Sequence, residues 1–260
     1  MALLDQLLEA LWIDHAAVAP HAARVHQLLR DRGEAVRSDH IALRTFDLPE
    51  VDIDALDRAF VAEGYEAAQD YELPDHKLIA YHYEHRDDAR RPRLLMSALA
   101  VGELSSGAQA LVRDMVGQLE PGAAAHPRFA VSGRRWQLSS SDYEQLRQET
   151  EYGAWVAAFG FRAHHFTVDA SSLRTFDGLT ELNRFVEESG FRVDESGGAV
   201  KGSAVQLLEQ SSTVADVVDV ELSDRTLRIP GFACAFARRY RLPDGTPFLG
   251  FPADSIPHLL

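Results

Sequence analysis

The sequence predicts an α+β fold of two βαβββ units. Two observations predict it: an order of strand, helix and further strands occurs twice, and each copy opens on a strand carrying a histidine. In the first copy His40-Ile-Ala-Leu-Arg-Thr-Phe46 alternates like a half-buried strand, and Asp54 to Glu63 puts Leu56, Phe60 and Val61 on one helical face before Gly64 ends it. In the second, His164 to Val168 reads as the strand and Gly178 to Ser189 as the helix, closed by Gly190. Asp39-His-Ile-Ala42 parallels His164-His-Phe-Thr167, and Phe60 to Tyr65 parallels Phe185 to Phe191. From histidine to helix-ending glycine the interval is 24 residues in one copy (His40 to Gly64) and 25 in the other (His165 to Gly190), so the two histidines hold nearly the same register.

The remaining elements follow in chain order. Leu3, Leu4, Leu7, Leu8 and Leu11 recur at helical spacing, as do Val25, Leu28 and Leu29 after Pro20, giving two N-terminal amphipathic helices. Leu78 to Tyr83 and Arg93 to Val101 complete the first unit as strands. A connector follows, with a helix around Ala108 to Leu119, a Gly/Ala/Pro stretch from Pro121 to Pro127, and a helix opened by the Ser139-Ser-Ser-Asp142 cap. Strands near 191–193, 205–209, 217–221 and 232–240 complete the second unit. The boundaries are about 36–102 for the first unit, 103–160 for the helical connector and 161–252 for the second, within one domain spanning 1–260.

Composition narrows the function classes. The 260 residues are 46% apolar and 25% charged, with 26 Lys+Arg against 40 Asp+Glu and a formal net charge of −14. Such a surface repels phosphate backbones, so nucleic acid is not an expected partner. The single Cys234 rules out an internal disulfide and a Cys-type zinc site, which with the absence of a basic, cleavable N-terminal segment gives a cytoplasmic expectation. No window of 18 consecutive apolar residues occurs, so no membrane span is expected.

Eleven histidines are present, and His15, His21, His26, His85 and His126 read as solvated residues of helix surfaces or polar loops. His76 and His82 are weaker candidates for chemistry. His40 and His165, the repeat-related pair, are either satisfied core histidines or metal ligands. Imidazole suits Fe(II), Zn, Cu or Ni, and two histidines with one carboxylate leave open positions for a bidentate substrate and O2. Glu209 and Glu221 are candidates for that carboxylate, each with the alternative of an ordinary strand residue. Arg44, four residues after His40, shares its strand face and could hold a substrate carboxylate bidentately, or else form a surface ion pair.

Several segments carry a resemblance: Asp39 to Phe46, Lys77 to His85, Ser132-Gly-Arg-Arg-Trp136, Glu151-Tyr-Gly-Ala-Trp155, His165-Phe-Thr-Val168, Lys201-Gly-Ser203, Leu207 to Thr213, Ile229-Pro-Gly231 and Phe236-Ala-Arg-Arg-Tyr240. With them the chain resembles the 2-oxoadipate dioxygenase/decarboxylase family of the vicinal-oxygen-chelate superfamily. The resemblance implies two βαβββ vicinal-oxygen-chelate modules forming a curved mixed sheet around Fe(II), with His40 and His165 as ligands and Arg44 as the catalytic-site residue that binds the substrate carboxylate. It implies a reaction of O2 with a 2-oxo dicarboxylate, 2-oxoadipate giving 2-hydroxyglutarate and CO2, a step of lysine breakdown.

The chain also departs from that pattern. Ala235 stands where the family's third, carboxylate ligand is implied, Ala98 stands in Ser97-Ala-Leu99 where the family reads Ser-Glu-Leu, and His164 stands where the family tends to have Asn. The tail, containing Ile256-Pro-His258, is altered as well. Three outcomes are open: a substitute ligand such as Glu209 restores the site, an exogenous anion fills the vacancy in a changed reaction, or the chain is a catalytically silent dicarboxylate-binding protein. Strand alternation predicts that His164 faces away from His165.

Overall fold

The regular leucine spacing at the N-terminus rolls into α1 (Leu3–Val18) and α2 (Pro20–Asp31), and Pro20 stands in the first turn, where no helical N–H bond is lost. The structure, a computed structural model, describes residues 3–252 and 256, so Pro257 and His258 of the altered tail lie outside the described residues.

The first unit runs β1 (Ser38–Phe46), α3 (Ile53–Ala62), β2 (Tyr65–Leu73), β3 (Leu78–His85) and β4 (Arg93–Leu99). Asp52 caps α3 by accepting from Ala55 N–H. β2 was not expected from the sequence, because it is a mostly exposed, polar edge strand without apolar alternation. The connector forms α4 (Ser106–Gly117), α5 (Ser140–Glu149) and α6 (Glu151–Phe159), with Ser105, Ser139 and Thr150 as side-chain caps. Gly160, at φ 72°, turns α6 into the next strand so close to the backbone of Gly133 that a Cβ would lie 2.2 Å from its carbonyl carbon.

The second unit comprises β5 (Ala163–Asp169), α7 (Leu179–Glu188), β6 (Lys201–Ser203) and β7 (Leu208–Ser212), then β8 (Val217–Glu221), β9 (Thr226–Pro230) and β10 (Ala235–Arg239). The expected strand at 191–193 is reduced to an isolated bridge between Val193 and Thr213, and the strand near 205–209 begins only at Leu208, after Leu207 turns with φ 63°. The segment 217–221 is a strand but does not join the main sheet. It pairs only with β9, since Val220 and Ile229 alone bury their side chains in this hairpin.

Eight strands form one curved sheet in the order β2-β3-β4-β1-β5-β10-β7-β6. β1 lies parallel to β4, and β5 parallel to β10, so the inner four strands repeat the same arrangement around an antiparallel β1–β5 seam. One face is apolar: Ile41 and Leu43 of β1, Met96 and Ala98 of β4, Phe166 of β5 and Phe236 of β10 join the helices in the main core. The alternate residues point to the other face. There a smaller cluster of Tyr71, Ala80, Leu95, Leu208, Ala237, Phe251 and Ile256 flanks the polar centre.

His15 and His26 are not solvated as their helical positions suggest; they are 0% and 3% exposed. His15 approaches the Ala163 carbonyl through Nδ1 at 3.2 Å, and His26 stacks on Trp12 at 4.4 Å. Burial pushes His15 down to about 4 and His26 down to about 3 from the ordinary 6.5. Between 6.5 and these values the unfolded chain binds protons that the folded chain refuses, so their stabilising contribution, complete above pH 6.5, falls as pH falls. His26→Leu should reduce the drop in unfolding free energy between pH 7 and pH 5 by about 2 kcal/mol, measured by urea unfolding. An unchanged drop would show that His26 takes up its proton in the folded state. No helix among the described residues is long and apolar enough to cross a membrane.

Candidate active site

The antiparallel seam brings the repeat-related histidines face to face. His40 is the Cα partner of Thr167 and His165 that of Ala42. Both rings are buried on the sheet face away from the main core, with their Nε2 atoms 3.4 Å apart. Thr167 Oγ1 lies 3.1 Å from His40 Nε2, and Phe251 packs edge-on against the His40 ring.

Two bulges flank this pair. The pairing steps from Ser38↔Val168 to His40↔Thr167, leaving Asp39 as an extra residue in β1, and from Ala42↔His165 to Leu43↔Ala163, leaving His164 as an extra residue in β5. Each bulge turns its side chain alongside the following histidine. Asp39 Oδ1 lies 2.7 Å from His40 Nδ1, and His164 Nδ1 lies 2.9 Å from His165 Nδ1. His164 therefore does not face away from His165 as simple alternation requires, because alternation fails where a residue is inserted.

Charge fixes the state of the first pair. Burial alone would raise the pKa of Asp39, but Arg239, with contacts of 2.6 and 3.0 Å, and His40 hold it well below the usual carboxylate range. Arg93 approaches from the other side at 3.4 Å. The ionised Asp39 accepts from His40 Nδ1–H, which leaves Nε2 of a neutral ring as a lone-pair donor. Burial lowers the pKa of His40, and lowers those of His164 and His165 well below the ordinary imidazole value, so all three are neutral at pH 7.

Arg44 shares the histidine face, as the four-residue spacing predicts. It is not a surface ion pair: the side chain is buried, with its guanidinium 4.8 Å over the Tyr152 ring and 5.1 Å over that of Trp155, both on α6. Tyr152 is itself anchored to the Ser97 carbonyl. Burial pushes Arg44 down to about 10, still fully cationic at neutral pH. Its Nε has no hydrogen-bond partner among the described residues, so a buried cation faces the site with spare donor capacity.

Two spaces meet at Arg44 and His164. A cavity of about 150 Å³ is lined also by His165, Thr167, Gln210 and Ala235, and a cleft of about 710 Å³ extends past Tyr152, Trp155 and His76. Neither carboxylate suggested by the sequence joins the histidines. Glu209 has the opposite strand parity to Gln210 and accepts from Tyr240 O–H at 2.7 Å, while Glu221 lies exposed in the separate β8–β9 hairpin. Ala235 does line the small cavity, but Ala98 lies in the main core on the opposite sheet face, so the two positions are not equivalent. His82 bonds Tyr71 and Glu84 instead.

The donor set suits a divalent transition metal at two positions. Two imidazoles held about 2.1 Å from one ion stand roughly 3.0 to 3.4 Å apart. Among the described residues no group of three His, Cys, Asp or Glu side chains is gathered as a metal site. The sequence alone gives no role to Asp39, Arg239, Thr167, Gln210, Tyr152 or Trp155, although all lie in segments that carry the resemblance.

A family model described as 2-oxoadipate dioxygenase/decarboxylase matches residues 122–240. A chloroplastic/amyloplastic 2-oxoadipate dioxygenase/decarboxylase of Oryza sativa subsp. japonica is 30% identical over 251 residues, covering 91% of this chain and 68% of the relative. This chain belongs to the 2-oxoadipate dioxygenase/decarboxylase family. The chloroplastic relative from Arabidopsis thaliana is 31% identical over 79% of this chain, which spans 59% of that relative's length. Among solved structures, a protein from Shewanella frigidimarina NCIMB 400 superposes with a TM-score of 0.91 at 41% identity, over 96% of this chain and 97% of the other. The Oryza sativa hydroxyglutarate synthase in complex with 2-oxoadipate also superposes at 0.91, with 28% identity over 98% and 89%. A glyoxalase-superfamily protein from Ralstonia eutropha JMP134, at 20% identity and a TM-score of 0.76 over 95% and 85%, shares the fold alone.

Proposed function

We propose that this chain is an Fe(II)-dependent enzyme that oxidatively decarboxylates and hydroxylates a 2-oxo dicarboxylate, as in conversion of 2-oxoadipate to 2-hydroxyglutarate. The observation that carries the proposal is the convergence of two neutral, buried imidazoles beside a buried arginine with an unpaired donor, in a chain of this family. Relatives named for that activity, one of them solved with 2-oxoadipate, support the substrate class.

His40 and His165 would hold the iron, which when bound supplies O2 activation and a template for the 2-oxo acid. The chain's own residues do the rest. Asp39 keeps the His40 Nε2 lone pair directed inward, and His164 constrains the His165 ring. Arg44 binds a substrate carboxylate, and Tyr152 and Trp155 hold its guanidinium flat so that the planar fork is presented with little ordering cost. Phe251 and the apolar cluster beside it keep bulk water from the pair, which strengthens the charge contacts within.

Ala235 favours one other reading, binding of the same dicarboxylate without turnover. Anaerobic Fe(II) reconstitution followed by O2 uptake with 2-oxoadipate, with CO2 and 2-hydroxyglutarate quantified, separates the two. The expected result is stoichiometric O2 consumption and product from the unmodified chain. Tight 2-oxoadipate binding without O2 uptake, with turnover only in Ala235→Glu, would replace the enzyme reading with the binding one.

A further inference from the structure

The small cavity beside Arg44 is lined by cationic side chains. Arg44 and Lys201 line it, and among the described residues that line it none is Asp or Glu. Among the described residues, two buried nitrogens of lining residues lack a partner: Gln210 Nε2 and Arg44 Nε, in residues only 5% and 8% exposed. Buried polar groups are almost always satisfied by protein or by a bound species, so a pair of orphans in one cavity points to something that accepts from both. Lys201 is already engaged, with Asp194 at 2.7 Å, which leaves Gln210 and Arg44 as the available donors.

The part of the lining supplied by β10 and the residues leading into it, Ala233, Ala235 and Phe236, is apolar. β10 turns Ala235 toward the site between its Cα partners Thr167 and Ser212, and Ala233 also lines the space. Methyl groups leave room here without offering a bond of their own. At about 150 Å³ the cavity takes a molecule of few heavy atoms, whereas the 710 Å³ cleft on the other side of Arg44 has room for a dicarboxylate.

We propose that the space beside Ala235 is a binding site for a small exogenous carboxylate of the size of formate or acetate, accepting from Gln210 Nε2 and Arg44 Nε next to His165. The consequence for metal binding rests on the reading of His40 and His165 as metal-holding residues. Two neutral imidazoles bring no negative charge to a divalent ion, and the bound carboxylate supplies it where the chain itself has alanine.

The test uses formate as probe and Co(II) as a spectroscopic metal. Calorimetry on the metal-free protein should detect formate binding, weakened about tenfold or more in Gln210→Leu through the lost donor. Co(II) affinity, read from its visible absorption, should rise about tenfold in millimolar formate. Ala235→Glu should bind Co(II) tightly without formate and lose the response. Absence of formate binding to the metal-free protein, or binding untouched by Gln210→Leu, overturns the site. Co(II) affinity indifferent to formate overturns its coupling to the metal. Formate binding with no Co(II) uptake by either chain upholds the anion site and rejects the metal reading alone.

Discussion

Arg44→Ala is expected to weaken binding of 2-oxoadipate by about 30-fold or more without weakening that of Co(II). Truncating one partner of a buried, hydrogen-bonded charge pair costs about 2 to 5 kcal/mol, and 1.4 kcal/mol is tenfold in affinity. The side chain sits within the site without a hydrogen bond to His40 or His165, and the repulsion it exerts on His165 would oppose a bound cation, so its loss costs the substrate a partner without costing the metal one. Arg44→Lys keeps the charge but loses the planar fork, and should fall between the two. Calorimetric titration of 2-oxoadipate and absorption titration of Co(II) are the two readouts. Loss of metal binding with unchanged 2-oxoadipate affinity would move Arg44 from the substrate to the metal and overturn its assignment.

The sequence makes the central geometry legible because it rests on periodicities. A strand period of two puts Arg44 on the face of His40, and the internal repeat puts His165 at the register of His40, which the antiparallel β1–β5 seam then converts into a contact of 3.4 Å. What stays hidden is whatever depends on one inserted residue or on distant pairing. The bulges at Asp39 and His164 leave no mark in composition, yet they decide that both side chains reach the site. Arg239 meets Asp39 across 200 residues, and no local pattern could announce that. The segment 217–221 reads as another strand of the main sheet, although only Val220 of β8 and Ile229 of β9 bury their side chains in the hairpin it forms, and β2 is hidden by the polarity that suits an edge. The same repeat that aligns the histidines also aligns the two bulges: each half places its extra residue directly before the histidine and against its Nδ1, a carboxylate in one half and an imidazole in the other.

That asymmetry makes Asp39 the more consequential of the two neighbours, and Asp39→Asn should lower stability and metal affinity together. Asp39 is the buried counter-charge of Arg239 on β10 and Arg93 on β4, so it ties both halves of the sheet to the strand bearing His40. Removing one partner of such a cluster leaves cations without compensation and is expected to cost about 3 to 5 kcal/mol of unfolding free energy. The loss of the charged acceptor at His40 Nδ1 should independently weaken Co(II) binding by about 10- to 100-fold. The two effects part company in the double variant Asp39→Asn/Arg239→Gln. Deleting the stranded guanidinium should recover part of the stability, measured by urea unfolding, because one unpaired buried charge is gone. It should recover none of the metal affinity, because His40 still lacks its carboxylate. Recovery of both in the double variant would mean that Asp39 serves the fold through Arg239 and has no separate part in preparing His40 for a metal.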